Sequence, residues 1–133
     1  MQNKNLLAKE WFEKGEHDIE GARILYDSNH FTDTIAMLIQ QSIEKYLKGY
    51  LISHGWKLER IHDLVKLLAE ASKYDQDFLQ FEDDCRRISE YYFEARYPLG
   101  MVVVYPREEI GQSLEIADAI INKIKKLVER TVF

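Results

Sequence analysis

Proline and glycine are scarce in this chain, two and six among 133 residues. That scarcity excludes fibrous and low-complexity architectures and leaves few places where a helix must stop. One cysteine, Cys85, excludes an intramolecular disulfide. Its helical spacing with Phe81 and Ile88 marks it as a small core residue rather than a reactive thiol. No apolar run approaches the roughly 18 residues of a membrane span, and no signal peptide is evident. The expectation is a cytoplasmic protein without membrane contact. Walker loops, glycine-rich dinucleotide turns and nucleophile elbows are absent, which removes the common NTPase, dehydrogenase and hydrolase folds. His17, Asp18 and His30 lack the clustered spacing of a zinc site, so neither metal nor cofactor is expected. A net charge of −5 argues against a broad nonspecific nucleic-acid surface, which needs many lysine and arginine contacts to phosphate.

What is present is helix periodicity. Hydrophobic residues at 46% and charged residues at 31% describe a helical domain with a real core, and the length suits a single domain over 1–133. Five helical segments can be read, with no strand pattern of any length. The first, about Leu6 to Asp27, aligns Leu7, Trp11, Gly15, Ile19, Ala22 and Tyr26, with Gly15 and Gly21 expected to admit a neighbouring helix. The second, about Asp33 to His54, has Thr32 or Asp33 as N-cap and Gly55 as its stop. Its apolar residues cover more than one stripe, so it is the expected centre of the bundle. A short third helix starts at Asp63 as N-cap. The fourth starts near Asp77, with Gln80 as a capping-box partner, and turns Phe78, Phe81, Cys85, Ile88, Tyr92 and Ala95 inward. The fifth opens after Pro106 and carries Ile110, Leu114, Ala117, Ile121, Ile124 and Val128 on one face. Short connections between long helices predict an all-α, up-and-down bundle of four long helices plus one short helix.

The connection over 99–106 is too apolar for an ordinary solvated loop. Its valines and Tyr105 favour an extended segment, folded over the bundle end or buried against a second copy.

Candidate chemistry gathers at Tyr91-Tyr92-Phe93-Glu94-Ala95-Arg96-Tyr97-Pro98. Pro98 biases Tyr97 away from the α region, which puts Arg96 in the last turn, one turn after Tyr92. An arginine held there can grip a phosphate or carboxylate, or it can neutralise the helix end and stack on a tyrosine. His62 precedes the third helix, where it can serve as a polar contact or general base, or pack locally while Asp63 caps. Glu44 and Lys48 form an i,i+4 pair worth about 0.2–0.5 kcal/mol if exposed. If that face looks toward the end of the fourth helix, Lys48 and Arg96 together can hold a phosphate, with Tyr92 or Tyr97 stacking on a base.

Four motifs in order, the Trp11-Phe12-Glu13-Lys14-Gly15-Glu16-His17-Asp18-Ile19-Glu20 opening, Gln40 to Lys48, His62-Asp63-Leu64 and Tyr92 to Pro98, resemble the HEPN domain family over nearly the whole chain. The resemblance implies an all-α bundle, usually a homodimer, in a family associated with nucleotide binding. Some branches cleave RNA, and some pair with minimal nucleotidyltransferase partners in prokaryotic toxin–antitoxin systems. The ribonuclease branches carry an arginine and a histidine with four to six residues between them. Here Arg96 is followed by Tyr97, Pro98 and an apolar loop with no such histidine. Arg23 and His30 match the spacing but sit at the end of the first helix, and the match is read as coincidence.

The resulting expectation is a domain that binds a nucleotide or RNA end. Arg96 and Lys48 clamp phosphate, Tyr92 or Tyr97 stacks, and His62 makes a polar contact. Two alternatives stand beside it. One is a metal-independent ribonuclease with His62 as base and Arg96 steadying the phosphate. The other is a non-catalytic interaction module that meets a nucleotidyltransferase through 101–105.

Overall fold

The computed structural model describes residues 3–96 and 104–129, with the backbone alone at 3, 95 and 96. Five α-helices and one 3₁₀ segment make up these residues: α1 (Asn3–Asp27), α2 (Thr32–Ser53), α3 (Leu64–Ser72), the 3₁₀ turns Gln76–Phe81, α4 (Glu82–Arg96) and α5 (Arg107–Glu129). The architecture is the expected all-α bundle of four long helices and one short one. No helix among the described residues is long and apolar enough to cross a membrane.

α2 occupies the centre because it is apolar on several faces, and it touches α1, α3, α4 and α5. Ile35, Ile39, Ile43, Leu47 and Leu51 are fully buried along it. α1 lies closest. A Cβ added to Gly15 would come within 2.7 Å of the Tyr46 ring, and one at Gly49 within 2.6 Å of the Phe12 ring. The Ser42 hydroxyl donates across this seam to the Gly15 carbonyl at 2.8 Å. Gly21 has no such role, since its added Cβ would meet only Leu38 at an ordinary 3.6 Å.

Helix ends show where local signals held and where tertiary demands displaced them. Asp63 caps α3, accepting from the Val65 amide at 2.9 Å, as the sequence predicts. Gly55 adopts φ 92°, the left-handed geometry that ends a helix at low cost. At α2 the cap position falls on Phe31 and no side chain fills it. Thr32 is otherwise engaged: its hydroxyl oxygen accepts from the Tyr105 amide at 3.1 Å. The expected start of α4 near Asp77 is corrected. Asp75 caps a 3₁₀ segment, and the α-helix proper begins at Glu82. Gln80 donates to the Asp77 carbonyl instead of closing a capping box.

The inward stripe of α4 runs Phe78, Phe81, Cys85, Ile88 and then Tyr91, so Tyr91 takes the core position expected of Tyr92, which is half-buried. Burial in this apolar stripe pushes the Cys85 thiol up to about 12, which makes it inert at neutral pH. Of the segment 99–106, residues 99–103 lie outside the described residues. Tyr105 is buried with its ring 4.7 Å from that of Tyr91, whereas Val104 is exposed.

Candidate functional site

Gln40, Glu44 and Lys48 follow one another at four-residue steps, so they form one polar stripe on α2. Because α2 is surrounded, that stripe is buried: Gln40 is inaccessible, and Glu44 and Lys48 keep 4% and 3% of their surface. Burying charge is tolerable only when it is paired and hydrogen-bonded, and here it is. Lys48 Nζ lies 2.9 Å from Glu44 Oε2 and 5.6 Å from the Trp11 ring centre. Gln40 Nε2 donates to Glu44 Oε1 and to the His62 carbonyl, each at 3.1 Å, and Gln41 donates to Gln40 Oε1 at 2.7 Å. Both partners of Gln40 Nε2 are pure acceptors, so the orientation of this amide is unambiguous.

His62 brings the network to the surface. The backbone entering α3 is pinned by Gln40 on one side, and on the other by Ser89, whose hydroxyl accepts from the Leu64 amide at 2.9 Å. The imidazole Nδ1 then sits 3.1 and 3.2 Å from the two Glu44 oxygens. Its ring stacks on Tyr92 with centres 4.3 Å apart and planes at 12°. Phe93 meets Tyr92 edge-on at 5.2 Å. The His62 side chain remains 39% exposed, in contrast to 5% for Glu44 beneath it.

Four of the five sequence-predicted site residues therefore fall on α2, on the segment entering α3 and on α4. His62 and Tyr92 are in contact, Lys48 reaches His62 through Glu44, and Arg96 closes α4 four residues after Tyr92. The Arg96 side chain and all of Tyr97 lie outside the described residues. Lys48 differs from expectation: its ammonium is buried on Glu44, so it neutralises the carboxylate rather than facing a ligand. For the same reason the i,i+4 pair is interior, not the exposed pair assumed from spacing. Glu44 itself was missed as a site residue. The signal was the polar stripe at 40, 44 and 48 inside a helix expected to be central.

Of the decoy motif, Arg23 is bonded to Asp118, and His30 meets only Phe31 edge-on at 5.3 Å among the ring contacts.

Chemically, the arrangement is a carboxylate–histidine pair with an internal counter-cation. It presents one imidazole face and an aromatic ring to solvent.

Comparison with known proteins agrees with the fold. A solved structure, TT1696 from Thermus thermophilus, superposes with a TM-score of 0.74 at 23% identity, covering 90% of this chain and 96% of its own. That likeness establishes the fold. A Methanocaldococcus jannaschii protein named "Putative toxin MJ1304" is 22% identical over 135 residues, 92% of this chain and 88% of that protein. The sequence pattern of the HEPN domain matches residues 8–127, and the chain belongs to that family.

Proposed function

We propose that this chain binds a nucleotide or the phosphate-bearing end of an RNA beside His62 and Tyr92, and that it acts as the toxin-like member of a pair with a minimal nucleotidyltransferase. The observation that carries the binding site is the exposed His62 ring, stacked on Tyr92 and anchored from below by Glu44. In this reading Arg96, the last residue of α4, and Tyr97, next in sequence, complete the site, Arg96 on phosphate and Tyr97 on a base. Lys48 contributes from the interior by keeping the site free of net negative charge, which a phosphate would otherwise meet. The toxin-like role is supported by family membership and by the name of the archaeal relative. A cytoplasmic homodimer is part of the same reading.

Calorimetric titration of ATP into wild type, His62→Ala and Arg96→Ala tests the site. Wild type should bind, and both variants should weaken about tenfold or more, the worth of one good hydrogen bond at His62 and of a charge-assisted one at Arg96. Equal affinities in the three proteins would place the ligand elsewhere.

The Glu44–His62 contact also favours a second reading, ribonuclease action. A carboxylate-oriented imidazole is suited to act as general base, with Arg96 stabilising the pentavalent phosphate. Incubation of structured RNA with wild type and His62→Ala separates the readings; cleavage that persists unchanged in the variant belongs to a contaminant.

A further inference from the structure

Glu44 is the most heavily bonded side chain in the described residues around His62, yet it is too buried to touch a ligand. Its two oxygens receive Gln40, Lys48 and His62 Nδ1. A carboxylate only accepts hydrogen bonds, so the nitrogen facing it must carry the proton. The neutral imidazole is thereby held as its Nδ1–H tautomer, and Nε2 is left with a lone pair. Two further contacts keep the ring from turning over. Gln40 holds the His62 carbonyl, and the Tyr92 ring lies parallel to the imidazole at 4.3 Å. Lys48 pairs with the same carboxylate from within the interior.

We infer that Glu44 is a positioning residue that fixes His62 as a hydrogen-bond acceptor at Nε2, and that the group His62 receives is a donor, the ribose 2′-hydroxyl, rather than a phosphate oxygen. This deepens the nucleotide-binding reading and rests on it. His62 then reads the sugar of the ligand rather than its phosphate. The site then favours ribonucleotides over deoxyribonucleotides, because the deoxy analogue leaves a desolvated acceptor unpaired.

Two measurements test it. Long-range proton–nitrogen NMR on the free wild-type protein at pH 8 reads the state of His62 directly. The expected result is the Nδ1–H tautomer, lost or mixed in Glu44→Gln. An Nε2–H tautomer, or a doubly protonated ring, in wild type would overturn the inference without touching the nucleotide reading. Titration of ATP against 2′-deoxy-ATP reads the consequence: wild type should prefer ATP about tenfold, the worth of one good hydrogen bond, and Glu44→Gln should bring the ratio toward one. Equal affinities in wild type would overturn the ribose assignment while leaving the nucleotide site standing. No binding of either nucleotide would remove the site and the ribose contact together. A role limited to stability would lower the melting temperature of Glu44→Gln without moving the ATP to 2′-deoxy-ATP ratio.

Discussion

Two buried polar clusters flank the core, and they differ in where they end. Around Glu44, the chain of contacts runs from an interior ion pair out to a partly exposed imidazole. Around Tyr91, it joins α4 to α5 and ends on Arg87, which is paired with Asp84. The Tyr91 hydroxyl donates to the Glu109 carboxylate at 2.6 Å and meets the Ser113 hydroxyl at 3.0 Å, and Arg87 Nη2 donates to Ser113 at 3.2 Å. Ser113 is inaccessible and Tyr91 1% exposed, so the second cluster joins helices and offers little to a ligand. Similar residue types thus serve recognition in one place and architecture in the other. Both clusters reach water, at His62 and at Arg87; what separates them is that the Arg87 guanidinium is paired with Asp84, whereas His62 keeps one ring nitrogen turned away from Glu44.

The largest effect should come from cutting the first cluster at its root. Glu44→Ala leaves the Lys48 ammonium buried without its counter-charge, and loss of one partner of a buried pair costs about 3–5 kcal/mol. Urea denaturation should show this as a large fall in midpoint. Replacing both residues together, with Glu44→Leu and Lys48→Met, should recover most of the loss, since no charge is then stranded. A double variant as unstable as Glu44→Ala would mean that Gln40 and His62 depend on the carboxylate more than Lys48 does.

Why that pair escaped a reading of the sequence is instructive. An i,i+4 Glu–Lys pair looks identical in sequence whether it is solvated or enclosed. Burial is decided by what surrounds the helix, which is tertiary information. Asp63 as the cap of α3 was legible because capping involves residues two apart. Thr32 as the cap of α2 was not, because its hydroxyl is claimed by Tyr105, 73 residues away. Tyr91 and Tyr92 show a third kind of ambiguity. After Cys85 and Ile88, a step of three or of four both continue a helical stripe, and only the approach of α5 decides for Tyr91. His62 and Tyr92 were recognisable as neighbours through motif order, and their rings stack. The residue that anchors His62, Glu44, was hidden behind its ordinary partner.

Breaking the second cluster should cost less. Tyr91→Phe keeps the ring in the core and takes the donor away from Glu109, while Ser113 keeps Arg87 as a partner, a loss of about 1–3 kcal/mol by urea denaturation. It should also change the alkaline limb of stability. Burial, reinforced by the Glu109 carboxylate, pushes the Tyr91 hydroxyl up to about 12. The folded protein therefore keeps this proton where the unfolded chain, at an ordinary tyrosine value of about 10, has lost it. Stabilisation from Tyr91 is complete below pH 10 and disappears as pH rises through about 12. Burial raises Tyr50 to about 12 as well, so wild type should weaken over this window and Tyr91→Phe should weaken less steeply. Parallel curves for the two proteins would assign the alkaline limb to the other tyrosines.

At the open end of the first cluster, His62→Ala should cost only about 1 kcal/mol, because the ring is partly solvated and Glu44 keeps Gln40 and Lys48. The comparison is sharpest here: a small change in thermal midpoint together with loss of ATP binding would mark the exposed end as functional. A loss as large as that of Glu44→Ala would make His62 a structural residue first.

The smallest effect is expected at Arg87, where the second cluster meets solvent. Its guanidinium spans Asp84 at 3.3 Å and Ser113, with both members of the ion pair about one-third exposed, and such pairs contribute little. Its Nε is buried with no hydrogen-bond partner among the described residues, a cost that the folded state carries. Arg87→Met preserves the aliphatic stem against α5, discards the weak surface pair and removes the unpaired donor. These changes oppose one another, so the urea midpoint should stay within the equivalent of about 0.5 kcal/mol of wild type. Ser113 keeps the Tyr91 hydroxyl as partner, which prevents a stranded oxygen from tipping the balance. A larger loss would show that the guanidinium closes the Tyr91 cluster as firmly as Lys48 closes the one around Glu44.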